Sequence, residues 1–511
     1  MRRLQRATLL VSTGLLLGGG LGCAESGSDI EDLDRETVFE ERLSAAERRG
    51  RDVWFENTYG GGTFFQFLAV HPDPSKRIRI AFDEVLNTPR DQRFAQWGLI
   101  NDPDCEANPA GGPDLCDDPA GTGVLGIRRE ASGAFGVTCA SCHAGLDPLN
   151  PPADVNEPTW DNIHPTIGNQ YAKFGKIFGH NLAATDVRRL MFNGWRDGTV
   201  DTTALFNDNI MNPGVVTAFW DQKHRRTFDI GTGHRELRNG QGGEDDAGGD
   251  LATIRVYTNI GVCFFECVAP RPDRPDPNAP IDVAQCRRDC SNFPPQQDLD
   301  DVGAFLRQVK APQYPGHPTT LGQAVTYVKG GLTFAVACGN CHSVTGPGRK
   351  VYSDDEINPM DAQSTNTCRA RTTNWDTGKL WAQFSSNVYK NRGYKGYRTM
   401  PLTGIWTTSP FFHNNSVGPY APADASPAAR AAAYEAAMYE MMSASRAPLV
   451  QTLPFPVGPF PAGTPLAYVF SRDPATGQLL CDDVVENRGH YYGSDLSASS
   501  KAALIYWLKY Q

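Results

Sequence analysis

Two copies of the pentad Cys-x-x-Cys-His constrain this chain more than any other feature of its sequence. They are Cys139-Ala140-Ser141-Cys142-His143 and Cys338-Gly339-Asn340-Cys341-His342. This spacing is typical of c-type haem attachment, in which both thiols form thioethers with the haem and the adjacent His reaches the iron. A redox Cys-x-x-Cys or half of a zinc site leaves the repeated His unexplained. The sequence therefore predicts two covalently bound haem c groups, with His143 and His342 as iron ligands.

The first 22 residues have the plan of a secretory signal peptide. Arginines precede an apolar stretch, and small residues lead to Cys23. The apolar stretch is shorter than the roughly 20 residues of a membrane-spanning helix. Leu21-Gly22-Cys23 resembles a bacterial lipobox, although Gly20 replaces the usual Leu, and ordinary cleavage leaving Cys23 free is the alternative. We expect an exported protein in the periplasm or at the cell surface, anchored by a lipid on Cys23 to the outer membrane of a Gram-negative bacterium.

The charge of the chain restricts its partners. The 511 residues carry a formal net charge of −10, which excludes a generally basic nucleic-acid binder. An acidic surface attracts basic redox proteins more readily than acidic ones. We therefore expect a redox protein partner and no nucleic acid.

The thirteen cysteines divide into groups. Four belong to the pentads and one is Cys23, which leaves an even number for an oxidising compartment. Cys105 and Cys116 flank a turn and are expected partners, and Cys368 and Cys481 remain by elimination. The other four form two Cys-x-x-x-Cys pairs between 263 and 290, which could staple a helical hairpin. A four-Cys metal site is the alternative for this segment.

Helical periodicity is limited to a few stretches, separated by dense turn signals. The pattern predicts helices over Leu43–Trp54, from Ser426 to about Arg446, and over Ser499–Tyr510. Strand-like alternation is scarce, so the predicted class is mainly α with long loops, built as two cytochrome c-like haem domains. We expect a tether and the start of the first helix at 23–50. The N-terminal haem domain follows at 51–312 with the stapled hairpin 263–290, and the C-terminal haem domain at 313–511.

Beyond the pentads, three segments resemble one known superfamily. They are Asn212-Pro213-Gly214-Val215-Val216 followed by Phe219-Trp220-Asp221, then Thr408–Val417, and finally Gly489-His490-Tyr491-Tyr492-Gly493. Together with the pentads, these segments resemble the bacterial di-haem cytochrome c peroxidase and MauG superfamily, and they look most like its rubber oxygenase branch. The resemblance spans the chain from about Phe135 to its end.

The resemblance implies roles for individual residues. Trp220 would relay electrons between the haems, with core packing as the alternative, and His413 would lie near the domain interface, with a turn histidine as the alternative. Asn212 and the carbonyls of Thr408 and Pro410 would form a calcium site. His490 would be the second axial ligand of the C-terminal haem. The competing ligands are the methionines that follow the His413 segment, Met438, Met441 and Met442.

The sequence also departs from the superfamily at one position. The peroxidases carry a distal His shortly before the Asn-Pro segment, and Val200–Ile210 contains none. This disfavours peroxide cleavage, which a positioned acid or base assists. An apolar pocket, lined by Phe219 or Phe228, suits dioxygen better.

The predicted function is a redox enzyme that acts on a small oxidant, peroxide or dioxygen, at the N-terminal haem. The C-terminal haem would transfer electrons. Peroxidase activity, MauG-like protein oxidation and cleavage of an apolar polymer are not distinguished by the sequence. The alternative is a non-catalytic electron-transfer cytochrome with both irons six-coordinate.

Overall fold

The computed structural model describes residues 42–71, 74, 77–201, 211, 213–218, 220, 295–342, 344–345, 350–351, 357–359, 365–368, 396–398, 402–472 and 476–511. The expected signal peptide, Cys23 and the stapled hairpin 263–290 lie outside these residues. So do Asn212, Phe219 and Phe228, which leaves the predictions on them untested.

The described part of the chain is rich in helices, as predicted. In chain order these helices are α1 (Ala45–Glu56), α2 (Gly62–Ala69), α3 (Phe82–Leu86), α4 (Arg90–Trp97), α5 (Ala140–His143), α6 (Phe174–Gly179), α7 (Val187–Asn193), α8 (Gln296–Leu306), α9 (Leu321–Ala337), α10 (Pro427–Met441), α11 (Leu466–Phe470) and α12 (Ala498–Leu508).

The strands within the described ranges have only two or three residues, and each pairs antiparallel with the next or previous one in number. They are β1 (Cys105–Glu106), β2 (Leu115–Cys116), β3 (Ile127–Arg129), β4 (Phe135–Val137), β5 (Gly145–Leu146), β6 (Ile163–His164), β7 (Thr199–Val200), β8 (Gly214–Val215), β9 (Val344–Thr345), β10 (Lys350–Val351), β11 (Ile357–Pro359) and β12 (Gly396–Arg398). Such short ladders join neighbouring loops and do not form a layer of their own.

The first long-range helix pair is α1 against α8. A capping box fixes the start of α1, since Ser44 and Glu47 exchange side-chain and backbone hydrogen bonds. The helices touch at Gly50, where a Cβ atom would lie 2.0 Å from the carbonyl oxygen of Asp301. Only a residue without a side chain allows this close approach.

The second pair, α9 against α12, lies beside the second pentad and also has a glycine at its closest contact. A Cβ atom on Gly330 would lie 2.1 Å from the carbonyl oxygen of Ala503. Four residues further along α9, the ring of Phe334 packs on Trp507 with centroids 4.8 Å apart. Helix α9 ends at Ala337, immediately before Cys338, so this packing positions the pentad.

The three helices predicted from periodicity are confirmed, with one difference in length. Ser426 is the N-cap of α10 and Pro427 its first residue, as the sequence indicates. The helix ends at Met441 and not near Arg446, because the Arg446 side chain donates hydrogen bonds to the carbonyls of Glu440 and Met441. These carbonyls belong to the last turn and have no partners within the helix.

The predicted domain boundary falls between α8 and α9. At this point the chain is tied to the C-terminal half, because the Trp406 indole nitrogen donates to the carbonyl oxygen of Pro312 at 2.9 Å. The division of the chain into 51–312 and 313–511 remains a prediction. In the described ranges, no helix combines the length and the apolar character needed to cross a membrane.

Two disulfides are confirmed. Cys105 and Cys116 pair across the β1–β2 ladder, and Cys368 pairs with Cys481 over a separation of 113 residues. The four pentad cysteines form no disulfide. The expected division of the cysteines therefore holds wherever the structure describes them.

Candidate functional site

The first pentad lies on α5, a single helical turn. The helix buries Ala140 and Ser141 and is held from outside, because Gly168 and Asn169 donate their backbone N–H groups to the carbonyls of His143 and Cys142. These hydrogen bonds fix the backbone from which the His143 side chain extends. Its Nδ1 atom lies 3.0 Å from the carbonyl oxygen of Thr217, an acceptor, so Nδ1 carries the proton.

Electrostatics at this pentad suit metal ligation through the other ring nitrogen. Burial lowers the pKa of His143 to about 4, so the imidazole is neutral near pH 7. With Nδ1 donating to a carbonyl, Nε2 keeps its lone pair for a metal. Burial also raises the pKa of the Cys139 thiol to about 12, which keeps this sulfur protonated.

The second pentad borders a cavity with a volume of about 520 Å³, which we call the second cavity after this pentad. Both of its cysteines, Asn340 and His342 lie in the cavity wall. The remaining wall is mostly apolar, and none of the residues described in it is Asp, Glu, Lys or Arg. Other residues in the wall include Thr217, Trp220, Phe334, Thr408, Pro410, Phe412, His413, Met438, Met441, Met442, His490, Leu504 and Leu508. A large apolar cavity beside two thiols and a His suits a porphyrin.

Two imidazoles lie close together in the wall of this cavity. The ring centroids of His342 and His490 are 6.4 Å apart, with the planes inclined at 68°. A metal–imidazole bond is about 2 Å long and each ring nitrogen lies about 1 Å from its ring centre, so two trans ligands of one ion have centroids about 6 Å apart. The residues present therefore fit a haem iron held between His342 and His490.

The backbone at His490 is unusual. Gly489 has φ of +95° and His490 itself has φ of +50°, a left-handed conformation that non-glycine residues adopt infrequently. Burial lowers the pKa of this imidazole as well, so it is neutral near pH 7. A strained residue whose side chain lines a cavity is often functional. The competing ligands Met438, Met441 and Met442 are buried in the same wall, on and just beyond α10.

Trp220 lies in the wall of this cavity and is 4% exposed. Its indole nitrogen donates to the carbonyl oxygen of Thr403 at 3.0 Å, and its ring packs edge-on against His164 at 5.6 Å. Both ring nitrogens of His164 have backbone partners, at Lys310 and Thr166, so this His is not placed as an iron ligand.

One short segment of the N-terminal half lies between the two pentads. Thr217 accepts the hydrogen bond from His143 and also lines the cavity of the second pentad. Two residues earlier, the Val215 N–H donates to the carbonyl of the cavity residue His413 at 2.6 Å. The structure therefore brings His143, Trp220 and His413 into one connected region.

The predicted calcium site is only partly described. Thr408 and Pro410 lie in the cavity wall, whereas Asn212 lies outside the described residues. The site remains a prediction. Within Val200–Ile210, the interval that lacks a distal His, only Val200 and Asp201 are described, and the distal side of the first pentad is likewise untested.

Several wall residues carried no signal in the sequence analysis. Phe334 lies four residues before Cys338, and recognising α9 as the helix that leads into the pentad would have predicted its position. Leu504 and Leu508 belong to the predicted last helix, but the sequence did not indicate that they border the cavity.

Comparison with known protein families relates one segment of the chain to cytochromes. Residues 396–434, fewer than a tenth of the chain, match the family described as RoxA-like, cytochrome c-like. This stretch includes Thr408–Val417, one of the segments that carried the resemblance, and the first half of α10. No curated protein matches the chain significantly. The match supports a relationship to RoxA-like cytochromes. The chain thus contains a cytochrome c-like segment, and covalently bound haem c is the cofactor that such a segment implies.

Proposed function

We propose that this chain is an exported di-haem c-type cytochrome that acts as a redox enzyme on peroxide or dioxygen. The observation that carries the proposal is the pairing of His342 with His490 across the second cavity, beside a first pentad whose His143 is oriented by a backbone carbonyl. Two imidazoles at the second site suit electron transfer, which leaves the first site for the oxidant.

The pentad residues would hold the cofactors. Cys139 and Cys142 would attach the first haem and Cys338 and Cys341 the second, with His143 and His342 as proximal ligands. Bound haem supplies a one-electron redox centre, and an open coordination position adds the capacity to bind and activate a small oxidant. Thr217 fixes the tautomer of His143, and Trp54, with its ring centroid 5.8 Å from that of His143, limits rotation of the imidazole.

The segment from Val215 to Trp220 would couple the two sites. It contacts His143 through the Thr217 carbonyl, and it lines the second cavity through Thr217 and Trp220. The hydrogen bond to Thr403 and the edge contact with His164 hold the indole in one orientation. A rigid, buried indole between the sites suits the relay role that the resemblance implies, and His413 supports the same segment from the C-terminal half.

Partner, metal and location complete the proposal. The net charge of −10 suits a basic redox protein as the electron donor or acceptor. Calcium at Asn212, Thr408 and Pro410 would link the two halves of the chain, and a lipid on Cys23 would retain the mature protein at the outer membrane.

The test uses the full chain matured with haem in an exporting host. A high-spin ferric signal from one haem in the resting protein, lost on adding cyanide, is the expected result. Turnover of hydrogen peroxide with a reduced donor, or oxygen uptake with an apolar polymer such as polyisoprene, then identifies the oxidant. Two low-spin haems that do not respond to peroxide, dioxygen or cyanide would contradict the enzyme and favour an electron-transfer cytochrome.

A further inference from the structure

One arginine joins both elements that could supply the sixth ligand at the second pentad. Arg446 donates from Nε to the carbonyl of Glu440 at 3.2 Å, and from Nη2 to that of Met441 at 2.7 Å. These are the last residues of the methionine-bearing helix α10. The same guanidinium donates to the carbonyls of Asn487 and Gly489, at 2.5 and 3.3 Å. Gly489 is the residue before His490.

The guanidinium is also fixed by two aromatic rings. It lies over Phe412 and Tyr491, with distances of 5.1 and 5.3 Å from Cζ to the ring centroids. Phe412 lines the second cavity, and its ring lies 6.5 Å from that of His490. A planar, delocalised cation that forms several hydrogen bonds and stacks on rings is not replaced by another side chain without loss.

A second cation joins the same two elements from the side of α12. The Lys501 ammonium donates to the carbonyl of Met442 at 3.1 Å and to that of Ser494 at 2.8 Å. The end of α10 and the loop around His490 are therefore held together by two side chains. Arg446 is the one that bonds directly beside His490.

The choice between the two ligand sources has a chemical consequence. Met438, Met441 and Met442 line the same cavity as His490. Thioether ligation raises the reduction potential of a haem relative to a second imidazole. His490 has a left-handed backbone conformation, which costs free energy and persists only where surrounding contacts offset that cost. Methionine side chains are flexible enough to reach a vacated position.

We propose that Arg446 is a positioning residue that selects His490 over the methionines of α10 as the ligand opposite His342. The inference rests on the proposed function, because it assumes a haem at the second pentad. Arg446 holds the His490 loop against the end of α10, which keeps the imidazole aimed into the cavity and the methionine sulfurs in the wall. Without it, the loop relaxes and a methionine takes the sixth position.

The test compares Arg446→Gln with a matched control, Arg472→Gln. Arg472 makes the same kinds of contact: it donates to the carbonyls of Tyr468 and Gly477 and lies over the rings of Phe460 and Tyr468. Neither Arg472 nor any of these three partners lines the cavity. The readouts are the near-infrared magnetic circular dichroism of the ferric haems and the midpoint potential of each haem, measured on full-length holoprotein.

For Arg446→Gln we expect a sulfur-to-iron charge-transfer signal and a higher potential at one haem, with unchanged haem content. Arg472→Gln should match the unaltered protein. Adding Met438→Leu, Met441→Leu and Met442→Leu to Arg446→Gln should abolish the sulfur signal. The first haem contributes equally to all variants and cancels in difference spectra.

Either of two outcomes overturns the inference: bis-imidazole ligation retained in Arg446→Gln, or loss of the sixth ligand without a sulfur signal. If Arg446→Gln does not fold, Arg446→Lys provides the same comparison, since it keeps the charge and loses most of the hydrogen bonds. An unaltered protein without haem at the second pentad would contradict the proposed function itself. An unaltered protein with haem and methionine ligation there would overturn the inference alone, which separates the two failures.

Discussion

At the scale of single residues, the structure adds contacts that bear on the role of Trp220. The resemblance implied a relay, and core packing was the alternative. The indole is buried, as either role requires, but it also lines the second cavity and donates to the Thr403 carbonyl. Trp220 also follows Thr217, the acceptor of the His143 hydrogen bond, by three residues, so one short segment contacts both pentads.

Replacing Trp220 by Phe tests this role. The buried Thr403 carbonyl would lose its donor, so we expect a loss of about 1–3 kcal/mol in the free energy of unfolding. We also expect slower electron transfer between the two haems in rapid-mixing experiments.

Trp97→Phe is the control for stability, because Trp97 is equally buried and donates to the Thr88 hydroxyl, yet lies outside the cavity wall. The relay role fails if both variants transfer electrons at the same rate.

At the scale of elements, the two helix pairs depend on glycines at their contacts. Gly50→Ala and Gly330→Ala would each place a methyl group about 2 Å from a backbone oxygen of the partner helix. Alanine favours an isolated helix by up to about 1 kcal/mol. Overpacking against backbone costs about 1–3 kcal/mol, so we expect each variant to be less stable in denaturant unfolding.

Gly322→Ala is the matched control on α9, because its added methyl meets nothing within 4 Å. It should leave stability unchanged or raise it by up to about 1 kcal/mol. Equal stabilities for Gly322→Ala and Gly330→Ala would show that the α9–α12 contact is looser than described.

The elements also show how far the sequence could be interpreted. Helix α10 was predictable from its serine N-cap and the proline that follows, and α12 from the helical periodicity of its apolar residues. Helix α9 was missed, because it carries apolar residues on all sides and a Gly-Gly pair, which hides its helical period. The exposed apolar residues, among them Leu321, Leu332 and Val336, lie along one face of the helix, and the buried Gly330 and Phe334 lie on the opposite face. An apolar exposed face removes the polar–apolar contrast by which a helix is recognised in a sequence.

At the scale of the whole molecule, the second cavity is assembled from distant parts of the chain. Its wall combines Thr217 and Trp220 with the second pentad, the His413 segment, α10, the His490 loop and α12. The candidate ligands came from motifs and from the resemblance, because each of these is a local stretch of sequence. The cavity was not predictable, because its shape depends on contacts between distant residues, such as Val215 and His413, which are nearly 200 positions apart.

The disulfide between Cys368 and Cys481 joins two further distant parts of the chain, outside the cavity wall. Replacing both cysteines by serine frees a loop of more than 100 residues in the unfolded chain. We expect a loss of about 2–5 kcal/mol in the free energy of unfolding and a lower yield of exported protein. Unfolding at the same denaturant concentration as the unaltered protein would show that the bond adds no stability.

We expect both pentads to attach haem, and the intact mass of the mature protein is the measurement that shows it. The mass should exceed that of the polypeptide by two haem groups per chain, and the increase should survive denaturation. The Cys139→Ser/Cys142→Ser variant and the Cys338→Ser/Cys341→Ser variant should each carry one haem group. A single haem in the unaltered protein, or two in either double variant, would show that the pentads do not both attach haem.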